Sequence, residues 1–343
     1  MRRKKKLRRS VAGMIAVVWI ATGVAVLAAA RLRPPTAATI SLSVKQMSFR
    51  TDAPHILDQI NEDELIVSGL QSLRIHFETP QAVAAAGAPV RATTMEIQGE
   101  LGASCSFYHV RSGRLDFAGP SIVTVGAAAR GNSNSFFLKT HGAVSANLTS
   151  QPAKSGSRPG FTCTRTRVNG GPAGEVVGNL SPQGGDSMSF TTFPDARLDF
   201  VPSAGAEIGY TQVPILGEIQ FSYIDPRSAE EKTVLLPPPA GQKNEIKFEK
   251  LDKSVTLDNA DLLRVVPDNE LYLRRFVIDN GIHLNLHGVV RDIRVGAGVN
   301  DMTTHMPSYF DHLDGQKRFF TAVPALVALL LGILDRMRGL PET

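Results

Sequence analysis

The feature that most constrains this chain is a stretch of twenty uncharged residues, Val11 to Ala30, directly behind a strongly basic N-terminus. A helix rises 1.5 Å per residue, so this stretch would span roughly 30 Å, which is the thickness of the hydrocarbon core of a bilayer. Inside lipid the backbone must satisfy its own hydrogen bonds, and a helix does so within one segment. We therefore predict a transmembrane anchor at residues 11–30.

The charges that flank this stretch predict its orientation. Residues 1–10 contain seven Lys or Arg and no acidic residue, whereas only Arg31 and Arg33 follow closely behind the stretch. Positive residues remain on the cytoplasmic side of a membrane, so we expect a cytoplasmic N-terminus, a location at the cell membrane and an extracytoplasmic body. A cleaved signal peptide is the alternative, although its apolar core would be only about 7–15 residues long. Both interpretations export the body.

A second apolar stretch, residues 319–334, lies near the C-terminus and contains sixteen uncharged residues. A helix over these residues would measure about 24 Å, close to the lower limit for a membrane span. Basic residues flank it on both sides, so the charges do not orient it. We predict a second crossing that returns residues 335–343 to the cytoplasm. A helix that is buried in the protein or lies in the membrane interface is the alternative.

Between the two apolar stretches, apolar and polar residues alternate with a period of two. The alternation is clear in Ile40, Leu42 and Val44, and on both sides of an Asn-Gly pair at residues 280–281. Such alternation is typical of antiparallel sheets with one buried face, and Asn-Gly favours a tight hairpin turn. Turn-rich stretches separate the runs, at residues 84–89, 129–135, 150–160, 169–175, 181–186 and 237–242. We therefore predict a mainly β, antiparallel body that resembles a sandwich or jelly roll.

Two further patterns give local predictions. Ile219, Phe221 and Tyr223 alternate with polar residues, which indicates that these three side chains share one face of a strand. Residues 54–60 and 259–265 are the only segments of the body that favour one or two turns of helix.

These features divide the chain into seven segments. A basic tail (residues 1–10) and an anchor (11–30) precede an extended linker (31–38) that contains two adjacent prolines. The β-rich extracytoplasmic domain covers residues 39–300, with a division near residue 200 into two subdomains as an alternative. A juxtamembrane segment (301–318), the second apolar helix (319–334) and a short tail (335–343) follow.

The distribution of charge argues against a nucleic-acid partner. The formal net charge of the whole chain is +5, and removing the seven positive charges of residues 1–10 leaves −2 for the remainder. A protein that binds DNA or RNA presents a basic face on its folded domain. We therefore expect no nucleic-acid partner.

The only two cysteines, Cys105 and Cys163, lie in strand-like segments of the body. In an oxidising compartment they could form a disulfide, which would close a loop of nearly sixty residues and stabilise the fold by roughly 3–4 kcal/mol. Two unrelated buried thiols are the alternative, because a sequence does not report the separation of two side chains.

The ionisable residues provide one candidate cluster beside the second apolar stretch, formed by Asp301, His305, Asp311, His312 and Asp314. These residue types bind metals or sense protons, but their spacing matches no defined signature, and polar residues are common beside membranes. His283 and His287 would lie about 13 Å apart on a strand, too far to share one ion, so we expect both to face solvent. No catalytic, cofactor-binding or metal residue is therefore assigned.

These observations favour a non-catalytic envelope protein, in which an anchored β scaffold binds a partner protein, a glycan or a lipid. The sequence contains no P-loop, no nucleophile elbow and no zinc-protease motif. A membrane-bound extracytoplasmic hydrolase or glycan-modifying enzyme is the first alternative. A signalling component whose output a partner supplies is the second.

Overall fold

The computed structural model describes residues 31–85, 88–128, 134–152, 157–205, 212–309 and 311–312, together with Gly23, Ala28 and Ile208. Apart from Gly23 and Ala28, both predicted membrane helices, at 11–30 and 319–334, lie outside the described residues. Within the described ranges, no helix has the length and apolar character needed to cross a membrane.

The described part of the chain is mainly β, as predicted, and every strand pairing in it is antiparallel. A short 3-10 helix (Val299–Asp301) precedes the last strand. In chain order the strands are β1 (Thr36–Val44), β2 (Gln46–Thr51), β3 (Ile60–Ala85), β4 (Ala88–Phe117), β5 (Ser121–Ala127), β6 (Phe136–Thr140), β7 (Val144–Ser150), β8 (Gly160–Val168), β9 (Gly174–Asn179), β10 (Ser187–Pro202), β11 (Val213–Gln220), β12 (Ser222–Ile224), β13 (Glu231–Thr233), β14 (Glu245–Phe248), β15 (Lys253–Thr256), β16 (Leu262–Ile278), β17 (Ile282–Gly296) and β18 (Thr303–Thr304).

Two long hairpins organise the large sheet. The first is formed by β3 and β4, and the second by β16 and β17, which turn at Asn280 and Gly281 as predicted. Asn280 has a φ of +52°, the left-handed conformation that this type of turn requires. From one edge the strands follow the order β15-β14-β1-β17-β16-β11-β2-β5-β6-β10-β3. The second hairpin therefore lies between β1 and β11, several strands away from the first.

At the other end the sheet closes on itself. β3 pairs with β4, β4 with β7, β7 with β10, and β10 again with β3. β8 and β9 lie beside this ring, since β8 pairs with β4 and β9 pairs with β3. Within the ring each of the four strands has a neighbour on both sides over part of its length, which protects those parts from pairing with other chains.

Alternating apolar side chains build one continuous core across the described residues. Ile40, Leu42 and Val44 of β1 are buried, as predicted, and so are the aromatic rings of Phe136 and Phe200, whose centroids lie 4.5 Å apart. Each fully buried side chain of this size contributes about 1.5–3 kcal/mol through removal of apolar surface from water. The apolar alternation of the sequence thus corresponds to the inner face of the sheet.

Two local predictions were wrong because tertiary pairing outweighs local preference. Residues 54–60 form no helix: the carbonyls of Pro54 and Leu57 instead accept hydrogen bonds from the backbone N–H groups of Phe117 and Leu115, at 2.7 and 3.2 Å. Residues 259–265 contain the start of β16, which pairs with β17.

The predicted series at residues 219–223 holds only in part. Ile219 and Phe221 are buried, whereas Tyr223 is 36% exposed, because β11 ends at Gln220 and Tyr223 belongs to the separate β12–β13 pair. The alternative division near residue 200 stays a prediction; β10 runs through this position.

Candidate functional site

Two grooves on polar faces of the sheet are the candidate binding sites in the described part of the chain. The first, here called the ring groove, has a volume of about 290 Å³ and is lined by residues of β3, β4, β7 and β10. The second, here called the cationic groove, has a volume of about 240 Å³. It is lined by residues of β1 and of the second hairpin, and by residues 239, 242 and 243.

The ring groove presents a polar surface whose charges are paired. Ser72 and Thr191 are hydrogen-bonded through their hydroxyl groups at 2.7 Å, and Arg74 Nε donates to Glu96 Oε1 at 3.0 Å. Asp116, the remaining charged residue of the lining, forms an ion pair with Arg114. The ring groove therefore offers hydroxyl and amide groups but no uncompensated charge.

Polar residues of three neighbouring strands form the floor of the cationic groove. Asn285 of β17 lies opposite Ser41 of β1 on one side and opposite Arg275 of β16 on the other. One step along the strands, His283 lies opposite Ser43 and Val277. Residues that oppose each other in an antiparallel sheet point to the same face, so these side chains project into one groove.

Hydrogen bonds fix the orientation of this floor. Asn285 Nδ2 donates to Ser41 Oγ at 3.0 Å. His283 Nε2 lies 3.0 Å from the backbone carbonyl oxygen of Asp279, and its Nδ1 lies 2.8 Å from Ser43 Oγ. Because a carbonyl oxygen only accepts, Nε2 carries a proton, and the hydroxyl of Ser43 shares a hydrogen bond with Nδ1.

A β-bulge places Arg275 in the groove. The pairing of β16 with β17 shifts by one residue between Leu273 and Arg275. Leu273 is buried, so regular alternation would bury residue 275 as well, but after the shift Phe276 is buried and Arg275 is exposed. The Arg-Arg pair at residues 274–275, which interrupts the apolar alternation of the hairpin, was the sequence signal for this bulge.

A loop held by Asn244 forms the wall of the cationic groove. The buried Asn244 side chain accepts from the backbone N–H of Ser43 and donates to the carbonyl of Leu236, both at 2.8 Å. Gln242 N donates to Pro239 O at 3.0 Å across a turn in which Gly241 has a φ of +81°. Lys243, next to the anchored Asn244, lines the groove.

The cationic groove carries uncompensated positive charge. In the parts of the chain that the structure describes, the side chains of Arg275 and Lys243 make no hydrogen bond and no ion pair. The one carboxylate of the lining, Asp279, accepts from Asn280 Nδ2 at 3.0 Å. His287, one rung further along β17, is 2.8 Å from Glu249 and does not line the groove. Both strand histidines are half-buried rather than fully exposed to solvent.

In the structure, residues of the predicted polar cluster near the C-terminus make separate contacts with neighbouring side chains. Asp311 forms an ion pair with Lys253 at 3.0 Å, and His312 Nε2 lies 3.0 Å from Thr36 Oγ1. His305 contacts Thr303, and Asp301 ends the 3-10 helix, whereas Asp314 lies outside the described residues.

Two further observations bear on this cluster. Partial burial raises the pKa of Asp311, but the hydrogen bonds from Lys253 and Ser308 outweigh this effect and hold the pKa below its ordinary value. Over the described ranges, no three His, Cys, Asp or Glu side chains are grouped to hold a metal ion.

The two cysteines face each other across neighbouring strands. Cys105 of β4 lies directly opposite Cys163 of β8, with a Cα–Cα distance of 4.0 Å and the two sulfur atoms at disulfide distance. Both residues are completely buried. The pairing therefore joins the first hairpin to β8 inside the core.

A buried carboxyl group lies in the same hairpin. Glu62 is 0% exposed; Ser112 Oγ donates to its Oε1 at 2.7 Å, and its buried Oε2 has no hydrogen-bond partner among the residues that the structure describes. Burial raises the pKa of Glu62 from the ordinary value of 4.5 to about 8, although the hydrogen bond from Ser112 lowers it. Glu62 lies opposite Pro202 of β10, which has no backbone N–H that could reach it.

The next residue of β3 belongs to a Ser-His-Asp group that does not have the geometry of a hydrolase triad. Ser203 Oγ donates to Asp63 Oδ1 at 2.6 Å, and His109 Nδ1 lies 3.7 Å from the same oxygen atom. A nucleophilic serine requires hydrogen bonding to the histidine that removes its proton. Here the serine hydroxyl is committed to the carboxylate, so the group does not support the hydrolase alternative.

Comparison with known proteins adds no functional assignment. No protein-family model, no curated protein and no solved structure matches this chain, so the case for its function depends on its own residues.

Proposed function

We propose that this chain is a membrane-anchored, non-catalytic binding module whose β domain lies outside the cytoplasm, in the cell envelope. The observation that carries the proposal is the cationic groove, whose lining combines hydrogen-bonded side chains of β1 and β17 with two cations, Arg275 and Lys243, that have no partner in the described residues. Convergent polar groups in a concave site are typical of ligand recognition. The remaining observations support the compartment and the attachment.

The location outside the cytoplasm is supported by charge and by the cysteines. The basic tail at residues 1–10 favours a cytoplasmic N-terminus, and the uncharged stretch at 11–30 is long enough to cross the bilayer. Cys105 and Cys163 lie at disulfide distance, and disulfides persist in oxidising compartments outside the cytosol.

The proposal also includes attachment, architecture and partners. Residues 319–334 form a second crossing, so that the lipid bilayer holds the β domain at both ends. The single apolar core is covered by a sandwich-like or jelly-roll-like packing of the sheet, because an apolar sheet face must be buried against another layer. The partners are envelope proteins, glycans or lipids.

Reporter fusions test the topology. Alkaline phosphatase, which becomes active only outside the cytoplasm of a bacterial host, is fused after residue 38 and, as a control, after residue 10. We expect activity from the first fusion and none from the second. An inactive but stably expressed fusion after residue 38 would place the body in the cytoplasm and overturn the proposed location.

Native isolation tests the binding function. The full chain is isolated from its membranes after crosslinking, and bound proteins, glycans and lipids are analysed for the wild type and for Arg275→Gln and Arg274→Gln. We expect a component that the wild type and Arg274→Gln retain and that Arg275→Gln loses. Equal recovery from all three proteins, or recovery of nothing, would contradict a binding function of the cationic groove.

A further inference from the structure

The chemistry of the cationic groove identifies a class of ligand. We infer that the groove binds a phosphate group carried on a small hydroxylated molecule, such as a monosaccharide phosphate. This inference rests on the proposed binding function and names the ligand for that same site. The hydrogen-bond donors, the charge, the size and the rigidity of the groove support this inference.

The groove presents mainly hydrogen-bond donors. Arg275 has five N–H groups in a planar fork, and Lys243 has three, none of them used within the described residues. Ser41 Oγ already accepts from Asn285, so its own hydroxyl hydrogen is available to a ligand. Phosphate oxygens only accept, and the fork of an arginine matches two of them at once.

Carboxylates near the groove offset only part of the positive charge. Asp279 lines the groove and keeps its charge while it accepts from the neutral Asn280, so Arg275, Lys243 and Asp279 together carry a net charge of +1; Glu245 is paired with Lys247 at 2.8 Å, and Glu249 lies 2.8 Å from His287. Two cations that line one groove repel each other, and an anion between them removes this repulsion. A phosphate monoester carries about −1.5 to −2 charges at neutral pH and three acceptor oxygens, so one such group can contact both cations.

The size of the groove favours a small carrier. Its volume of about 240 Å³ lies below the roughly 300–1,000 Å³ that is usual for drug-sized ligands. One sugar ring with a phosphate is of this order. The side-chain amides of Gln242 and Asn285 line the same groove and are suited to sugar hydroxyl groups, which both donate and accept.

The groove is organised before a ligand arrives. Its floor lies on paired strands, and its wall is held by the two hydrogen bonds of the buried Asn244. A preformed site loses less conformational entropy on binding than a flexible one. Arg275 in addition owes its position to a bulge in the hairpin, a feature that is conspicuously common beside functional sites.

Titration calorimetry of the full chain in a neutral detergent tests the inference. The titrants are glucose 1-phosphate, inorganic phosphate and glucose, for the wild type, Arg275→Gln, Lys243→Gln and Arg274→Gln. Arg274 is the matched control, since it is the neighbouring exposed arginine, does not line the groove, and its replacement changes the net charge equally. Circular dichroism verifies that each variant is folded.

We expect saturable binding of glucose 1-phosphate by the wild type and no binding of glucose. Loss of a charged hydrogen bond weakens binding by about tenfold or more, so Arg275→Gln and Lys243→Gln should each raise the Kd by this factor. Arg274→Gln should change the Kd by less than about twofold. No saturable binding by the wild type, or equal weakening by Arg274→Gln and Arg275→Gln, would overturn the inference.

A fourth titrant separates a sugar phosphate from a lipid headgroup as the source of the phosphate. Dihexanoyl phosphatidylglycerol, used below its micelle concentration, is titrated in parallel with dihexanoyl phosphatidylcholine. Tighter, Arg275-dependent binding of phosphatidylglycerol than of glucose 1-phosphate would assign the site to a lipid headgroup, and the reverse order would assign it to a sugar phosphate. If native isolation recovers an Arg275-dependent component while all these titrations fail, only the ligand assignment falls.

Discussion

The two long hairpins use the same structural device with opposite results. In β16, a one-residue shift moves Arg275 to the outer face, where water solvates its charge. In β3, the pairing with β10 shifts beside Asp63, and Glu62 lies on the buried face together with Ile60. A cation in water costs the fold little, whereas a buried carboxylate is unfavourable unless it is protonated. A bulge thus creates a binding group in one hairpin and an ionisation-sensitive core in the other.

The polar faces of the two hairpins also differ in the residue that lies beside their arginine. In the ring groove, Arg74 is neutralised by Glu96 of the neighbouring strand. In the cationic groove, the residue opposite Arg275 is the neutral Asn285, and the guanidinium forms no ion pair within the described residues. The choice of a single cross-strand neighbour therefore distinguishes a neutral surface from the proposed site for anions.

The largest effect is expected at Glu62, the ionisable group in the core of the first hairpin. The unfolded chain releases the Glu62 proton above its ordinary pKa of 4.5, whereas the folded chain holds it up to about 8. The free energy of unfolding should therefore fall by about 1.4 kcal/mol for each pH unit between these values, and by about 5 kcal/mol in all, and then level off. Glu62→Gln should remove this fall.

Urea unfolding followed by circular dichroism from pH 4 to pH 9 measures the effect. The relevant quantity is the difference between variant and wild type, because other groups titrate in both proteins. Glu64→Gln, which changes a half-buried acid two residues along β3, is the control and should keep the fall. A wild-type slope that persists in Glu62→Gln would refute the assignment to this carboxyl.

The second effect concerns the disulfide, which links the first hairpin to β8 and has no counterpart in the second hairpin. Cys105 and Cys163 are 58 residues apart in the chain, and the entropy of closing such a loop corresponds to about 4 kcal/mol. The double variant Cys105→Ala/Cys163→Ala should lose roughly this amount in the free energy of unfolding. Dithiothreitol should destabilise the wild type and leave the double variant unchanged. Two free thiols in the unfolded, unreduced wild type would show that no disulfide forms.

The smallest effect is expected for the ion pair of the ring groove. Glu96→Gln removes the carboxylate that neutralises Arg74, and the exposed ion pair contributes only about 0–1 kcal/mol to stability. The ring groove should then gain weak affinity for glucose 1-phosphate, visible as a second binding event in calorimetry. If Arg74 becomes unpaired without any gain in phosphate binding, an uncompensated arginine alone does not make a site, and the rigid wall of the cationic groove is essential.

Local chemistry in the sequence determined much of the secondary structure. The predicted turn-rich stretches at 129–135, 181–186 and 237–242 lie between strands, and those at 150–160 and 169–175 overlap only strand ends, because Gly, Pro, Asn and Asp tolerate or prefer turn conformations. The stretch at 84–89 is different, since β3 reaches Ala85 and β4 begins at Ala88. The Asn-Gly turn at residues 280–281 and the buried face of β1 follow from neighbouring residues alone. The basic tail and the apolar stretch at 11–30 likewise constrain topology by composition alone.

Only the tertiary structure decided which distant residues meet. Ser41 and Asn285 are 244 residues apart, and Cys105 and Cys163 are 58 apart, yet strand pairing sets each pair face to face. Glu62 carries an ionisable side chain of the kind that usually lies at the surface, and only the bulge against β10 makes it part of the core. A residue's own chemistry sets its local conformation, but its charge state, its partner and its access to ligand depend on strands that the sequence places far away.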